Sequence, residues 1–382
     1  MKEWKTYKLG DIVKFNTGKL DSNAAVTDGK YPFFTCSPET LKINTFAFNQ
    51  KAILLAGNNA EGNFSVKYYE GKFNAYQRTY VISVINEDIV DYNFLYYALK
   101  ICLLKFKMMS QGTSTKFLTK SILNSFEIAL PEIEAQRNIA SILKSIDSKI
   151  QINQCINDNL EQQAQALYKS WFVDFEQFKD GEFVESELGL IPEGWRVGVL
   201  SDLAEITMGQ SPSGKSYNET GDGMLFYQGR AEFGDRYPSI RLYTTEPSRI
   251  AEQNSVLLSV RAPVGDTNIA YKKCCIGRGL ASIKAKHGFN SFIFYMIKSL
   301  KDQFDMYNGE GTVFGSINRD SLNSLNIIVP TNDVINDFEK IVAPLDLKYK
   351  SLFTENLLLT QHRDTLLPKL MSGELKIKEI DC

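Results

Sequence analysis

The chain has 382 residues, of which 43% are hydrophobic, and this length and composition suffice for more than one domain core. Its formal net charge is −2, and it has no run of 18 apolar residues, six cysteines without a CxxC pair, and only two histidines. These features exclude a transmembrane helix and a disulfide scaffold and argue against zinc or histidine chemistry, so we expect a cytoplasmic protein with reduced thiols and no membrane partner.

Two kinds of stretch occur twice in the sequence. Trp4 and Trp195 open similar stretches, WKTYKLGDIVKFNTGK and WRVGVLSDLAEITMGQ, at an offset of 191 residues. Pro131 and Pro330 open a second pair at an offset of 199 residues. Because internal repeats indicate repeated structural units, we predict a globular domain over 1–130, a long helix over 131–172, a linker over 173–194, a second globular domain over 195–330, a second long helix over 331–372 and a tail over 373–382.

Each globular segment alternates short apolar runs with turn residues, a pattern typical of strands. In the first segment the predicted strands are 31–34, 52–57, 64–69 and 79–85, followed by one buried helix over 91–106. In the second segment they are 224–229, 255–260, 267–272 and 280–285, followed by a matching helix over 289–300. Each segment closes with a loop rich in Gly and Thr, over 110–131 and 308–330.

The two long helices have apolar residues at alternating steps of four and three, which is the spacing of a coiled-coil seam. The predicted seam residues are Leu143, Ile146, Ile150, Leu160 and Leu167 in the first helix, and Val342, Leu345, Leu352, Leu359 and Leu366 in the second. Pro344 is expected to kink the second helix near its start. The alternative is a pair of ordinary amphipathic core helices, but about 39 residues would span roughly 58 Å, which is long for a globular helix.

The charge is unevenly distributed between these segments. Residues 1–130 carry 16 Lys and Arg against 11 Asp and Glu, whereas residues 131–195 carry 5 against 12. A basic excess on the globular segments is compatible with binding to phosphate backbones, although an ordinary solvated surface would also account for it.

One segment matches a nucleotide-binding motif. Gly209–Ser216 has the sequence GQSPSGKS, which fits the phosphate-binding loop of many NTPases. That loop requires a helix whose N-terminus meets the phosphate, and the residues that follow, YNETGDG, have no helical apolar period. We therefore favour a polar loop, and an NTPase remains the enzyme alternative.

The order of these features resembles the specificity subunit of type I restriction–modification enzymes over essentially the whole chain. The stretches that carry the resemblance, besides the two Trp openings, are SVRAPVG (259–265), CIGRGLASI (275–283), LPEIEAQRNIASILKSIDSKI (130–150), ALYKSWFVDF (166–175), ELGLIPEGW (187–195) and LLPKLMSGEL (366–375). The first domain has AGNNAEGNFSV (56–66) in place of SVRAPVG, so we expect the two domains to recognise different sequences.

The resemblance implies an α+β fold in which two similar globular α/β target-recognition domains are joined and separated by two long helices. A pseudo-two-fold internal repeat would make those helices an antiparallel coiled coil. It also implies that each domain reads one half of a bipartite target in duplex DNA, while the helices set the half-site spacing and dock two methyltransferase subunits. Translocase and nuclease subunits would join that complex. We expect this chain to be non-catalytic and to bind no cofactor, because S-adenosylmethionine, ATP and Mg²⁺ would be used by the partner subunits.

Side-chain chemistry then suggests which residues touch DNA. Arginine matches guanine, Asn and Gln match adenine, and hydroxyls or backbone N–H groups suit phosphates. In the first domain we select Asn58, Asn59, Gln77, Arg78, Gln111, Thr113, Ser114 and Lys116. In the second we select Gln210, Ser211, Gln228, Arg230, Arg261, Arg278, Gly311, Thr312 and Ser316. A third hypothesis, a coiled-coil interaction protein that binds no DNA, predicts no salt-sensitive DNA affinity.

Overall fold

The computed structural model describes residues 4–308 and 315–375. The described chain folds into two compact units. The first contains the residues up to Asn153 and those from Thr354 onwards, and the second runs from Gln154 to Phe353. The division falls inside the two long helices rather than at their ends, so each unit holds one globular domain and one half of each helix.

The first unit is built on a six-stranded sheet packed against helices. Its strands are β1 (Lys5–Lys8), β2 (Val13–Thr17), β3 (Tyr31–Phe34), β4 (Leu41–Ile43), β5 (Phe48–Ala56), β6 (Asn58–Asn59), β7 (Val66–Ala75), β8 (Thr79–Val84), β9 (Lys116–Phe117) and β10 (Glu127–Leu130). Its helices are α1 (Leu9–Ile12), α2 (Tyr92–Ile101), α3 (Leu103–Met109), α4 (Lys120–Ser125) and the first half of α5 (Ile133–Phe172), with a 3-10 turn at Ser22–Ala24. The sheet order is β2-β8-β5-β7-β3-β4, and only the β3–β7 pair is parallel.

The core of this unit forms where β5 and α2 bury apolar side chains. The run from Ala52 to Ala56 is buried, as expected for a central strand with neighbours on both sides. Asp91 caps α2, because its carboxylate accepts a hydrogen bond from the Phe94 N–H at 2.9 Å. The prediction of one helix over 91–106 is wrong, because α2 ends at Ile101 and α3 begins as a separate helix at Leu103, with Cys102 between them.

The second unit repeats this plan. Its strands are β11 (Phe183–Ser186), β12 (Gly189–Pro192), β13 (Arg196–Val199), β14 (Ala204–Met208), β15 (Tyr217–Asn218), β16 (Met224–Tyr227), β17 (Tyr243–Thr244), β18 (Ile250–Ala251), β19 (Val256–Val260), β20 (Val264–Ile269), β21 (Cys274–Ile276), β22 (Leu280–Ala285) and β23 (Asn326–Val329). Its helices are α6 (Leu200–Leu203), α7 (Asn290–Ser299), α8 (Lys301–Asp305), α9 (Arg319–Asn323) and the first half of α10 (Asn332–Ser372), with 3-10 turns at Glu176–Phe178, Gly214–Ser216, Arg230–Glu232 and Lys286–Gly288.

The two units share strand order and register. The sheet order β14-β22-β19-β20 in the second unit matches β2-β8-β5-β7 in the first. Thr17 pairs with Tyr80 in one, and Met208 pairs with Ala281 in the other. The parallel pair also recurs, as β3 with β7 and as β16 with β21. The predicted internal repeat therefore extends to hydrogen-bond register.

The long helices pack antiparallel within each unit. In the first unit Asp147 of α5 bonds Arg363 of α10, and Asn153 bonds Asn356, so the numbering rises along one helix as it falls along the other. In the second unit the rings of Tyr168 and Phe338 lie 5.9 Å apart. α10 is continuous through Pro344, which lies on an exposed face, so the kink expected there stays a prediction.

The predicted seam residues lie inside these packed halves. Leu143, Val342 and Leu352 are buried. The others are half-buried: Ile146, Ile150, Leu160, Leu167, Leu345, Leu359 and Leu366. Between them, Asn153 and Asn157 are also buried, so the seam is partly polar.

The segment predicted as a linker is more structured than its composition suggests. Residues 173–194 contain a 3-10 turn and the hairpin of β11 and β12. Phe175 and Phe178 pack on the buried Trp195 ring at 5.6 and 5.0 Å. No described helix is long and apolar enough to cross a membrane.

Candidate nucleic-acid interface

In the first unit, the loop after β2 lies directly against the residues that follow β7. A Cβ placed on Gly18 would sit 1.7 Å from the carbonyl oxygen of Ala75, so only glycine allows this approach. Next to it, the Gln77 N–H donates to the Leu20 carbonyl at 2.9 Å, and the Tyr76 N–H donates to the Phe34 carbonyl at 2.9 Å. The backbone of Gln77 is thereby fixed, while its side chain is exposed.

A second set of backbone bonds joins the end of β5 to this loop. The Gly57 N–H donates to the Arg78 carbonyl at 2.9 Å, and the Leu118 N–H donates to the Gly57 carbonyl at 2.9 Å. Asn58 then pairs with Phe117, and Phe117 pairs in turn with Gln111. These bonds bring together residues from three distant parts of the sequence.

All the residues selected in the first domain lie in this assembly. Gln77, Arg78, Gln111, Thr113 and Ser114 are exposed, and Asn58, Asn59 and Lys116 are half-buried. Asn59 differs from the rest, because its Oδ1 accepts hydrogen bonds from the N–H groups of Glu61 and Asn63, both at 2.9 Å. We assign Asn59 to shaping its own loop.

The same backbone bonds recur in the second unit. A Cβ on Gly209 would sit 2.2 Å from the Gly277 carbonyl oxygen, and the Gly277 N–H donates to the Tyr227 carbonyl at 2.8 Å. The Val260 N–H donates to the Gly279 carbonyl at 3.0 Å, and the Ile317 N–H donates to the Val260 carbonyl at 3.1 Å. The three hydrogen bonds match those of Tyr76, Gly57 and Leu118 in the first unit. Gly209 approaches the backbone closely as Gly18 does, but at a carbonyl one position further along.

The matching bonds define corresponding positions in the two units. Because Gly57 corresponds to Val260, the next residues, Asn58 and Arg261, correspond. Because Arg78 corresponds to Gly279, the preceding residues, Gln77 and Arg278, correspond. Phe117 and Ser316 also correspond, since one pairs with Asn58 and the other with Arg261. The backbone framework is therefore shared, whereas the side chains on it differ.

Arg278 lies in a backbone turn that two glycines make possible. Cβ atoms on Gly277 and Gly279 would sit 2.8 and 3.0 Å from the Gln228 carbonyl oxygen. The Arg278 N–H donates to Ser211 Oγ at 3.3 Å, which ties this turn to the loop that contains Gln210. The side chains of Gln210, Gln228, Arg261, Arg278 and Ser316 are exposed, and that of Ser211 is half-buried.

Arg230 is less available for contacts with DNA than Arg261 and Arg278, because its side chain is held in an ion pair. Its Nε lies 2.7 Å from Asp266 Oδ2, and its side chain is 52% exposed. The Asp266 N–H donates to Ser259 Oγ at 2.9 Å, so the ion pair is attached to the sheet. Gly311 and Thr312 lie outside the described residues.

One basic residue was missed by sequence reasoning. Lys107 donates to Asn63 Oδ1 at 2.7 Å, and Gly62 packs against the aliphatic stems of Lys107 and Lys116. Lys107 falls just beyond the helix predicted over 91–106. The break at Cys102 makes it part of the separate helix α3, where it lies exposed beside the candidate interface.

The match of Gly209–Ser216 to a phosphate-binding loop is not supported by the fold. The segment follows β14 but continues as a three-residue 3-10 turn and then as strand β15, so no helix N-terminus faces it. The Ser216 hydroxyl, which would bind Mg²⁺ in such a loop, is buried 2.7 Å from Thr244 Oγ1. Among the described residues, no cluster of three or more His, Cys, Asp or Glu side chains is placed to hold a metal ion.

Comparison with known proteins identifies the family. A model of the type I restriction modification DNA specificity domain matches the chain twice, over residues 1–162 and 192–344. The chain belongs to this family. Its resemblance to type I specificity subunits is thereby confirmed, and its function lies in recognition of a DNA target.

Individual specificity proteins agree with this assignment. The chain is 34% identical to a Methanocaldococcus jannaschii protein described as the type I restriction enzyme MjaX specificity subunit, over 85% of this chain and 79% of that protein. It is 36% identical to the EcoDI specificity subunit of Escherichia coli over 53% of this chain and 49% of that protein. The crystal structure of a type I restriction-modification S subunit from M. genitalium has the same fold, with a TM-score of 0.64, 18% identity and 96% of each chain covered.

Proposed function

We propose that each unit of this specificity subunit reads one half of a bipartite target in duplex DNA. The observation that supports this is the shared backbone framework on which the exposed side chains differ. Asn58 and Gln77 occupy in the first unit the positions that Arg261 and Arg278 occupy in the second. Asn and Gln match adenine, whereas Arg matches guanine or a phosphate. Two unlike half-sites follow from two unlike sets of side chains.

The remaining selected residues suit backbone contacts. Thr113 and Ser114 offer hydroxyls and backbone N–H groups, and Lys116 and Arg78 offer positive charge, all at the same interface as Asn58. In the second unit, Ser211 and Ser316 offer hydroxyls beside Arg278 and Arg261. Phosphate contacts fix the register of a protein on the duplex without reading sequence.

We propose that α5 and α10 dock the partner subunits. These helices expose apolar side chains, which a docked partner would cover. In the first unit they are Ile152, Leu357 and Leu358, and in the second Ile156, Ile341 and Leu347. Two methyltransferase subunits, and then translocase and nuclease subunits, would bind there. S-adenosylmethionine, ATP and Mg²⁺ would belong to those partners.

The helices also suit the role of a spacer. Each is continuous over about 40 residues and passes from one unit into the other. Removing matched turns from both helices should therefore shorten the gap between the half-sites and leave the half-site sequences unchanged. A shortened variant that recognised new half-site sequences would contradict this role.

Methylome sequencing tests the proposal as a whole. Cells that express the methyltransferase subunits are compared with and without this gene. We expect methylation at one split sequence only when the gene is present. Methylation at a continuous sequence, or no change on adding the gene, would overturn the bipartite assignment.

A further inference from the structure

A buried ionic cluster in the second unit joins its recognition domain to both long helices. Arg236, which is 2% exposed, lies in the loop between β16 and β17. Its Nη1 lies 2.8 Å from Glu161 Oε2 of α5, and its Nη2 lies 2.6 Å from Asp346 Oδ1 of α10. One guanidinium therefore bridges carboxylates on two helices.

Other groups of the same domain, and one aromatic ring of α10, complete the cluster. The Tyr295 hydroxyl of α7 lies 3.0 Å from Arg236 Nη1 and 3.0 Å from Asp346 Oδ1, and Lys298 Nζ lies 2.6 Å from Glu161 Oε1. The guanidinium is also stacked on aromatic rings, at 4.6 Å from the centre of Phe294 and 4.8 Å from that of Tyr349. Two cations and two anions thus balance in formal charge.

Such a cluster is a poor source of stability but a strong source of orientation. Removing charges from water costs about as much as their attraction returns, so apolar residues of similar volume are often equally stabilising. An arginine that bridges two carboxylates, however, keeps both ion pairs in only one geometry, because its donors form a rigid planar fork. A purely apolar contact between a domain and a helix pair would tolerate sliding.

The first unit attaches its domain differently. The Tyr97 hydroxyl donates to Asp147 Oδ2 at 2.7 Å, which repeats the Tyr295–Asp346 contact. The cation that meets Asp147 is Arg363, at 2.8 Å, and it comes from α10 itself. Among the described residues, the domain supplies a cation to bridge both helices only in the second unit.

The loop that carries Arg236 leads directly to the candidate interface. Arg230 lies six residues before Arg236 and is paired with Asp266 near one end of β20. The Arg236 carbonyl accepts from the Ile269 N–H at 2.8 Å at the other end of that strand. The position of Arg236 between the helices is thus transmitted along β20 to the residues proposed to face DNA.

We propose that Arg236 is a positioning residue that sets the angle of the second recognition domain on the helix pair, and with it the spacer length that the subunit accepts. This inference rests on the proposed bipartite function. Arg236 contacts no DNA in this role, so it affects which gap is accepted and not which half-site sequence is read.

The test uses the complex with its methyltransferase subunits and duplexes that carry both half-sites with the native spacer or one base pair more or less. Arg236→Met alone would leave Asp346 without its cation and Glu161 with only Lys298. The main variant is therefore Arg236→Met/Glu161→Gln/Asp346→Asn, in which the guanidinium and both carboxylates are neutralised together and only Lys298, which is 30% exposed, keeps its charge. Arg236→Lys keeps the charge but cannot bridge both carboxylates in a planar fork. Arg241→Met is the matched control, since Arg241 lies in the same loop but is 58% exposed.

We expect the preference for the native spacer to fall about tenfold in the triple variant, equivalent to ~1.4 kcal/mol, and to fall in the same direction in Arg236→Lys. Discrimination between half-site sequences should stay as in the wild type, and Arg241→Met should retain the full spacer preference. An unchanged spacer preference in the folded variants overturns this inference alone, as does a change in the half-site sequence. Absence of any split target in the wild-type complex overturns the proposed function as well.

Discussion

Asn153 of α5 donates its side-chain amide to Oδ1 of Asn356 of α10 at 2.8 Å, inside the helix pair of the first unit. The same amide reaches Glu355 Oε2 at 2.9 Å, and Asn356 returns a bond to the Ile150 carbonyl at 3.3 Å. Because Asn153 is fully buried, these bonds are satisfied only when the two helices keep one axial register. Polar seam residues of this kind lower stability but specify pairing.

Replacing one partner of this pair should destabilise the first unit. Asn153→Leu leaves the Asn356 amide oxygen without its donor in a buried seam, and we expect a loss of about 1–3 kcal/mol. Asn153→Leu/Asn356→Leu should recover most of that loss, because an apolar pair suits the seam. Urea unfolding followed by circular dichroism measures both.

The control for these variants is Asn159→Ala. Asn159 is exposed on α5, and its Oδ1 accepts a hydrogen bond from Gln163 four residues along the same helix. We expect the effect of this substitution to stay within about 0.5 kcal/mol. A double variant less stable than Asn153→Leu alone would contradict this account of the pair.

The repeat and the long helices were predictable from the sequence because both depend on patterns along the chain. The a/d spacing that includes Leu143 and Leu352 can be read along the sequence, and it does not depend on what each helix packs against. α10 runs unbroken through Pro344, and the kink predicted there stays a prediction, because a continuous helix can still bend at a proline. The break at Cys102 was missed, since its apolar run LKICLLKF continues through it.

The interface was only partly predictable for a different reason. Residue type pointed to Arg261 and Arg278, but their correspondence with Asn58 and Gln77 appears only in the backbone bonds. The stretches AGNNAEG and SVRAPVG differ too much in sequence to be aligned residue by residue. Arg236 was not selected, because nothing in the surrounding sequence, GDRYPS, distinguishes an arginine buried between two helices from one on the surface.

Gly18 and Gly209 should both be intolerant of alanine. The added Cβ would lie 1.7 Å from the Ala75 carbonyl oxygen in one case and 2.2 Å from the Gly277 carbonyl oxygen in the other. Backbone must move to relieve either clash, so we expect each variant to lose several degrees of melting temperature and to weaken specific DNA binding of the complex. Thermal denaturation and DNA titration measure the two effects.

Gly214→Ala is the matched control for these glycine variants. It lies in the segment that resembles a phosphate-binding loop, but nothing lies within 4 Å of its added Cβ. We expect wild-type stability and DNA binding from Gly214→Ala. Loss of ATP binding in this variant would instead favour the rejected NTPase assignment.

Replacing Glu161 and Glu339 by glutamine should change the stability of the fold in opposite directions. Burial raises the pKa of Glu161, but Arg236 and Lys298 outweigh burial and hold that pKa below the ordinary value of 4.5. Its stabilising contribution is therefore complete above pH 4.5 and is lost as the pH falls through the lowered pKa. Glu161→Gln should cost about 3 kcal/mol at pH 7 and flatten the acid limb of the stability profile.

The pKa of Glu339 is raised above 4.5, because burial outweighs its hydrogen bonds from the backbone of Phe292 and from Ser291. The pH dependence of the stabilising contribution of Glu339 is therefore opposite to that of Glu161. It is complete below pH 4.5 and is lost as the pH rises through the raised pKa. Glu339→Gln retains an acceptor for the Phe292 N–H, so we expect equal or greater stability at pH 7. Equal losses in both glutamine variants would contradict this account of the two carboxylates.

Arg261 and Lys116 should separate sequence reading from phosphate binding. If Arg261 reads a base, Arg261→Ala loses about 1–3 kcal/mol on the specific duplex and relaxes selectivity at one base pair. Lys116→Ala should instead weaken binding to all duplexes alike and reduce the slope of log affinity against log salt by about 1. Lys179→Ala removes one exposed positive charge from the segment between α5 and β11 and serves as the control.

Binding of the complex to the target, to single-base variants and to unrelated duplexes, each at several salt concentrations, resolves these roles. Because Arg261 corresponds to Asn58, Asn58→Ala should relax selectivity in the other half-site and leave the half-site of Arg261 unchanged. Uniform weakening by Arg261→Ala, with selectivity intact, would move Arg261 to the phosphate-binding class. Relaxation of both half-sites by either variant would contradict independent reading by two units.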